Sequence, residues 1–157
     1  MAMIVPIVCE HQEKNNWCWA AVVASVNNYY AAKFSKRATI TQTELAEKYV
    51  GGRDEAYDPF TALVDLDLSN GTDAGFIDWD VLKSTVGDDE PNIAKVQGAA
   101  GHYLLVIGYD DPSTARHRHY VIADPHDNPA AAKTLTKSEL EGYDGGYAGT
   151  QYTKEKK

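Results

Sequence analysis

Cysteine is scarce in this chain: Cys9 and Cys18 are the only two among 157 residues. One pairing between them would not amount to the disulfide framework that holds small secreted domains together. No CxxC pair is present either, so a structural zinc site lacks its usual spacing. The other conceivable ligands, His11, His117, His119 and His126 beside the two cysteines, are scattered without supporting neighbours, and no metal or other cofactor is expected. Long apolar runs are missing too, since none approaches the ~18 residues that cross a bilayer. The N-terminus MAMIVPIVCEH has no basic n-region and no small-residue cleavage site, which predicts a soluble chain with no encoded export signal. Basic residues are in deficit, 15 Lys and Arg against 23 Asp and Glu, for a net charge of -8. Such a field repels phosphate backbones and anionic lipid, so neither nucleic acid nor a membrane is expected as a partner. Internal repeats and low-complexity tracts are absent.

What is present suits one compact domain over residues 1–157, with 43% hydrophobic and 24% charged residues. Ile4 to Cys9 reads as a short strand or extended lead-in, Pro6 marking an edge and Cys9 buried packing. From Trp17 to about Lys33, apolar residues and alanines recur at helical spacing, and Asn15 or Asn16 suits the N-cap. Thr41 and Glu44 form a capping-box pattern for a second helix stopped by Gly51 and Gly52. Residues 53–75 read as loop with a possible short helix, and Asp78 to Val86 as a third helix. The period then changes. Asn92 to Gln97, His102 to Tyr109 and His119 to Ala123 read as strands, the last two joined through a turn at Asp110 to Ser113. Thr136 to Glu139 can cap a short helix, and Tyr147 to Thr153 closes the sheet. The fold class is therefore α+β: a helical half at about 10–87 packed on an antiparallel β half at about 91–153.

Cys18 lies in the first turn of the most strongly patterned helix, directly between Trp17 and Trp19. A thiol attacks carbonyl carbon only as thiolate, which a helix N-terminus and a nearby imidazolium both favour. Of five histidines, only His102 follows a small-residue stretch, Gly98 to Gly101, and opens a long strand, which can hold an imidazole still. An imidazole acting as base needs a partner for its other nitrogen. Asp124 ends the run HYVIAD, and antiparallel pairing brings the start of one strand to the end of the next, so His102 and Asp124 become neighbours. The backbone N–H of Cys18 and the side-chain amide of Gln12 are candidate donors to an oxyanion.

These segments resemble the papain-like cysteine proteases. Gln12 with Cys18-Trp19-Ala20 is similar to the family's nucleophile block, His102 to Tyr109 to its histidine strand, and Tyr120 to Asp124 to the strand presenting the orienting residue. The resemblance implies Cys18 as nucleophile, His102 as general base and acid, Asp124 as orienting residue and Gln12 as oxyanion donor; of the two flanking tryptophans one is expected to border the site, and Trp19 and Gly101 are the candidates for substrate contact. It covers roughly Ile7 to Tyr152 and is weakest between Gly51 and Gly87. The orienting residue is Asp where papain has Asn, and Cys18 and His102 are 84 positions apart, less than the ~130–150 of papain and cathepsins. The pattern looks closer to compact bacterial effector proteases and, more distantly, to double-glycine leader peptidases. Since only 17 residues precede Cys18, too few for a propeptide of the papain kind, a cognate immunity protein is expected as the restraint. The resemblance thus implies a monomeric endopeptidase acting on a protein substrate. It would be made in a bacterial cytoplasm and delivered to target cells as part of a larger effector or toxin. A deamidase, an acyltransferase or an inactive binding relative are the alternatives.

Overall fold

The computed structural model describes residues 2–98, 101–112 and 117–156. The chain runs β1 (Ala2–Ile4), α1 (Cys18–Phe34), α2 (Gln42–Val50), α3 (Pro59–Asp65), β2 (Ser69–Asp73), α4 (Trp79–Gly87), β3 (Asn92–Val96), β4 (His102–Asp110). It continues through β5 (His119–Ala123), β6 (Ala132–Thr136), α5 (Lys137–Glu141), a 3-10 turn (Tyr143–Gly145) and β7 (Tyr147–Thr153). The class is α+β, with an antiparallel sheet ordered β2-β7-β3-β4-β5-β6. The long strand β4 carries two partners on one edge: β3 pairs with His102 to Val106, and β1 with Gly108 to Asp110. Gly108 is required there, because a Cβ would stand 2.5 Å from the Met3 carbonyl oxygen.

Helix α1 is apolar on nearly every side, and residues 18–27 are all buried. A helix without a polar face has to be enclosed, and α1 is enclosed by α2, α3 and β4. Its alanines at 20, 21 and 24 let the neighbours approach closely, and residues from the helices and the sheet merge into one buried cluster. The local start and stop signals act as expected. Thr41 and Glu44 make both bonds of a capping box, Gly51 ends α2 at φ +65, and Thr136 with Glu139 repeats the box on α5.

Several expectations need correction. Of the two readings for Ile4 to Cys9, residues 5–9 are a lead-in outside any strand, and the strand is Ala2–Ile4, because the backbone leaves the sheet after the Val5 N–H reaches the Ile107 carbonyl. Helix α1 is capped by Trp17 with no side-chain bond, not by Asn15 or Asn16. The amide of Gln12 occupies the Asn15 carbonyl, and Asn16 turns toward Asp54. The possible short helix within 53–75 is present as α3, but the same segment also holds a strand, β2, so the expected helical half supplies one edge of the sheet. Strand β6 was also not anticipated. Ser113 of the expected turn, and Ala99 and Ala100 of the small-residue stretch, lie outside the described residues. No helix among the described residues is long and apolar enough to cross a membrane.

Candidate active site

The approach to Cys18 is held by polar side chains from elsewhere in the fold. Buried Gln42 donates to the His11 carbonyl at 2.9 Å and accepts from the Glu13 N–H at 2.9 Å, and the Gln12 N–H reaches the Pro125 carbonyl at 2.8 Å. The two tryptophans flanking Cys18 then fix the opposite wall. Trp17 Nε1 donates to the Arg53 carbonyl at 2.8 Å and Trp19 Nε1 to the Glu55 carbonyl at 2.9 Å. Between them, Asn16 binds Asp54 through its backbone N–H. Three consecutive loop residues are thus tied to the helix start, and the next residue, Ala56, lines the cleft.

His102 opens β4 and Asp124 directly follows β5, whose pairing sets Leu105 opposite Ala123. Their side chains meet, His102 Nε2 lying 2.6 Å from Asp124 Oδ1. Cys18 stands near enough to the same ring for its thiol to act on the imidazole, and with Nε2 taken by Asp124 the nitrogen left for a proton partner is Nδ1. Glycine at position 98 permits this packing: at φ +49, a Cβ would stand 3.1 Å from His102 Cβ and 3.2 Å from an Asp144 carboxylate oxygen. Burial alone would make the His102 imidazole less basic, but its bonds to Asp124 and Cys18 outweigh this and carry it up to about 10. Burial would likewise raise the Asp124 carboxyl, yet the His102 ring, the Tyr143 hydroxyl and the His126 N–H hold it down to about 2. Asp124 therefore accepts from three donors. Oδ1 takes the ring and the His126 N–H at 2.9 Å, and Oδ2 takes Tyr143 Oη at 2.6 Å.

Cys18, His102 and Asp124 share a cleft of about 460 Å³ with Gln12 and Gly101. A family model described as the Peptidase_C39 like family matches residues 4–154. The chain belongs to the Peptidase_C39 like family. None of the curated proteins matches it. The match makes the protein a member of a cysteine-peptidase-related family, and it includes Gly51 to Gly87, where the motifs that resemble papain-like proteases are weakest.

Two members of the expected set sit differently in this Peptidase_C39 like fold. Trp19 does not border the cleft: it is completely buried, packed against the stacked pair Tyr49 and Tyr57 with ring centroids 6.3 and 5.2 Å away. Its contribution is the hydrogen bond that holds the loop before Ala56. Gln12 is at the cleft, but its Nε2 donates to the Asn15 carbonyl at 2.7 Å and the Lys14 carbonyl at 3.2 Å. Its Oε1 has no partner among the described residues. Donation to an oxyanion then requires Nε2 to exchange the longer of these bonds. Cys9 is free and buried, and burial, with the negative charge of Asp124 adding, pushes its thiol up to about 12. The sequence reading missed Tyr143, His126 and Asp144 in the cleft wall. The His126 ring stands edge-on to His102 at 6.3 Å. No local pattern marks these three, since each owes its place to the turn that follows a strand or helix. Among the described residues, no group of three His, Cys, Asp or Glu could hold a metal ion.

Proposed function

We propose that this protein is a cysteine endopeptidase in which Cys18 is the nucleophile, His102 the proton carrier and Asp124 its orienting partner. The observation that carries the reading is that one cleft is lined by the Cys18 thiol, the His102 ring and the Asp124 carboxylate, with ring and carboxylate bonded at 2.6 Å. The Cys18 sulfur attacks the scissile carbonyl, and the C–N bond breaks as His102 Nδ1 gives its proton to the leaving amine. Water then enters, loses a proton to His102 and releases the acyl group from sulfur. The oxyanion would be met by the Cys18 N–H, which like every first-turn N–H has no acceptor within its own helix, and by Gln12 Nε2. Asp124 holds Nε2 so that Nδ1 faces the sulfur.

The shape of the cleft favours cleavage inside a chain. Ala56 and Gly101 are shared with a second depression of about 350 Å³, which runs on past Tyr103 and Tyr57 to Asp58 and Lys95. An extended peptide can therefore continue past the reacting carbon. The test is N-terminal profiling of casein and of whole-cell lysate treated with wild type beside Cys18→Ala. New N-termini that depend on the sulfur are expected. Deamidated side chains without new N-termini would replace the reading with amide hydrolysis of side chains. The resemblance to effector proteases extends the proposal to a toxin-type role under a cognate inhibitor. In that case bacteria expressing wild type grow more poorly than those expressing Cys18→Ala, and equal growth removes it.

A further inference from the structure

Behind Asp124, on the side away from His102, lie two residues that the proposed chemistry does not use. Tyr143, in the 3-10 turn, donates to Asp124 Oδ2 at 2.6 Å. Lys133, on β6, holds its ammonium 5.1 Å from the centre of that phenol ring and pairs with Asp127 at 2.9 Å. A cation thus polarises a phenol whose proton points at the orienting carboxylate. We propose that Lys133 and Tyr143 are positioning residues, which lock the rotation of Asp124 and restrain how basic its charge makes His102.

The inference rests on the reading of Cys18, His102 and Asp124 as the reactive set. Held by the ring on one oxygen alone, a carboxylate can swing about its Cβ–Cγ bond. Here the second oxygen is anchored as well, and the plane is fixed. The electrostatic consequence has a definite sign. A hydrogen-bond donor and a cation placed behind Asp124 make the potential at His102 less negative, so they favour the neutral ring against the imidazolium. A base that must also give its proton back near neutral pH gains from this restraint. Both groups keep their protons over the working range. Burial, with the Asp124 bond adding, carries the Tyr143 phenol up to about 12, and the bonds to Tyr143 and Asp127 outweigh burial in holding Lys133 charged. The other titratable or charged groups facing this pair are Cys18 on α1, Cys9 on the lead-in, His126 and Asp127 after β5, and Asp144 beside Tyr143.

The experiment is an NMR titration of the His102 ring in the full chain, its Cε1–Hε1 signal assigned from the spectrum of His102→Gln. In Tyr143→Phe the midpoint moves upward by roughly half to one pH unit. In Lys133→Met, where a half-exposed side chain is changed and folding is not at risk, it also moves upward, by less. If these residues only packed the turn, their loss would loosen Asp124 and the midpoint would fall toward the ordinary imidazole value, as in Asp124→Asn. A fall, or no movement in either variant, overturns the proposal. Tyr143→Phe is also expected to lower kcat on casein with KM unchanged. Casein cleavage that wild type shares with Cys18→Ala would sink the peptidase reading, whereas the ring titration reads the layer directly.

Discussion

Replacing Asp124 by Asn removes a charge while keeping the shape of the network. The amide oxygen can still accept from His102 and the His126 N–H, and the Tyr143 hydroxyl can turn to accept from the amide nitrogen. The cost is worked from the two partners. His102 rises from 6.5 to about 10, which at 1.36 kcal/mol per pH unit is about 5 kcal/mol. Asp124 falls from 3.8 to about 2, or about 2.5 kcal/mol. The two figures differ because each contains other partners, the thiol of Cys18 for His102 and the Tyr143 hydroxyl and His126 N–H for Asp124, so the smaller one bounds the pair from above. The side chains are only 13% and 6% exposed, which leaves little solvent screening. A loss of about 2 kcal/mol is therefore expected where both charges are present. The carboxylate contribution exists above pH 3.8 and disappears as the pH falls through about 2. The imidazolium contribution is complete below pH 6.5 and is lost as the pH rises through about 10. Urea unfolding of wild type and Asp124→Asn should therefore differ most between these limits, near pH 5.5, and converge to within about 1 kcal/mol above pH 10. A gap that is constant over this range, or that widens with pH, would refute the charge pairing.

Three further outcomes follow from contacts outside the reactive set. Trp19→Phe strips the donor from the Glu55 carbonyl and leaves part of a completely buried indole site unfilled, so unfolding should become easier by at least roughly 1–3 kcal/mol and casein cleavage should fall as the loop before Ala56 loosens. Gly108→Ala drives a Cβ against the Met3 carbonyl and the Ile4 Cα at 2.5 and 3.1 Å, both backbone, costing roughly 1–3 kcal/mol. Faster hydrogen exchange at residues 2–5 would show that β1 has been lifted. Arg37 binds Glu155 through two bonds of 2.6 Å, their side chains 4% and 6% exposed, so Arg37→Ala should cost roughly 3–5 kcal/mol in urea unfolding. The double change Arg37→Met with Glu155→Leu should recover only part of that loss, because the Asn27 amide oxygen and the Leu66 carbonyl that Arg37 also serves stay unpaired.

Elements whose signals are local were legible in the sequence, and elements defined by a distant partner were not. The capping boxes at Thr41 and Thr136 each work within four residues, and both were visible. Strand β2, Ser-Asn-Gly-Thr-Asp, has no apolar face, and only its pairing with β7 makes it a strand. Strand β6 offers one large apolar residue, Leu135, and is ordered by β5. The position of β1 turned on Gly108, more than 100 residues away, whose missing side chain admits the Met3 backbone. No pattern within MAMIVPIVC carries that information.

The site divides along the same line. Cys18, His102 and Asp124 could be found because each sits at the end of a regular element, where pattern changes are sharp. Tyr143 is one of ten tyrosines and lies in a turn among glycines, so its contact with Asp124 could not be told from nine others. Trp19 shows a different kind of failure, because the sequence gives the right residue and the wrong direction. A tryptophan beside a nucleophile suggests a surface for substrate, but α1 buries everything from residue 18 to 27, and an indole enclosed that way must find an acceptor for its N–H. The acceptor it finds is the Glu55 carbonyl, while Trp17, one residue before the cysteine, takes the Arg53 carbonyl. The same burial that keeps both rings out of the cleft thus ties residues 53–55 to the start of α1, and Ala56, the residue that follows them, stands in the cleft wall facing Cys18 for that reason.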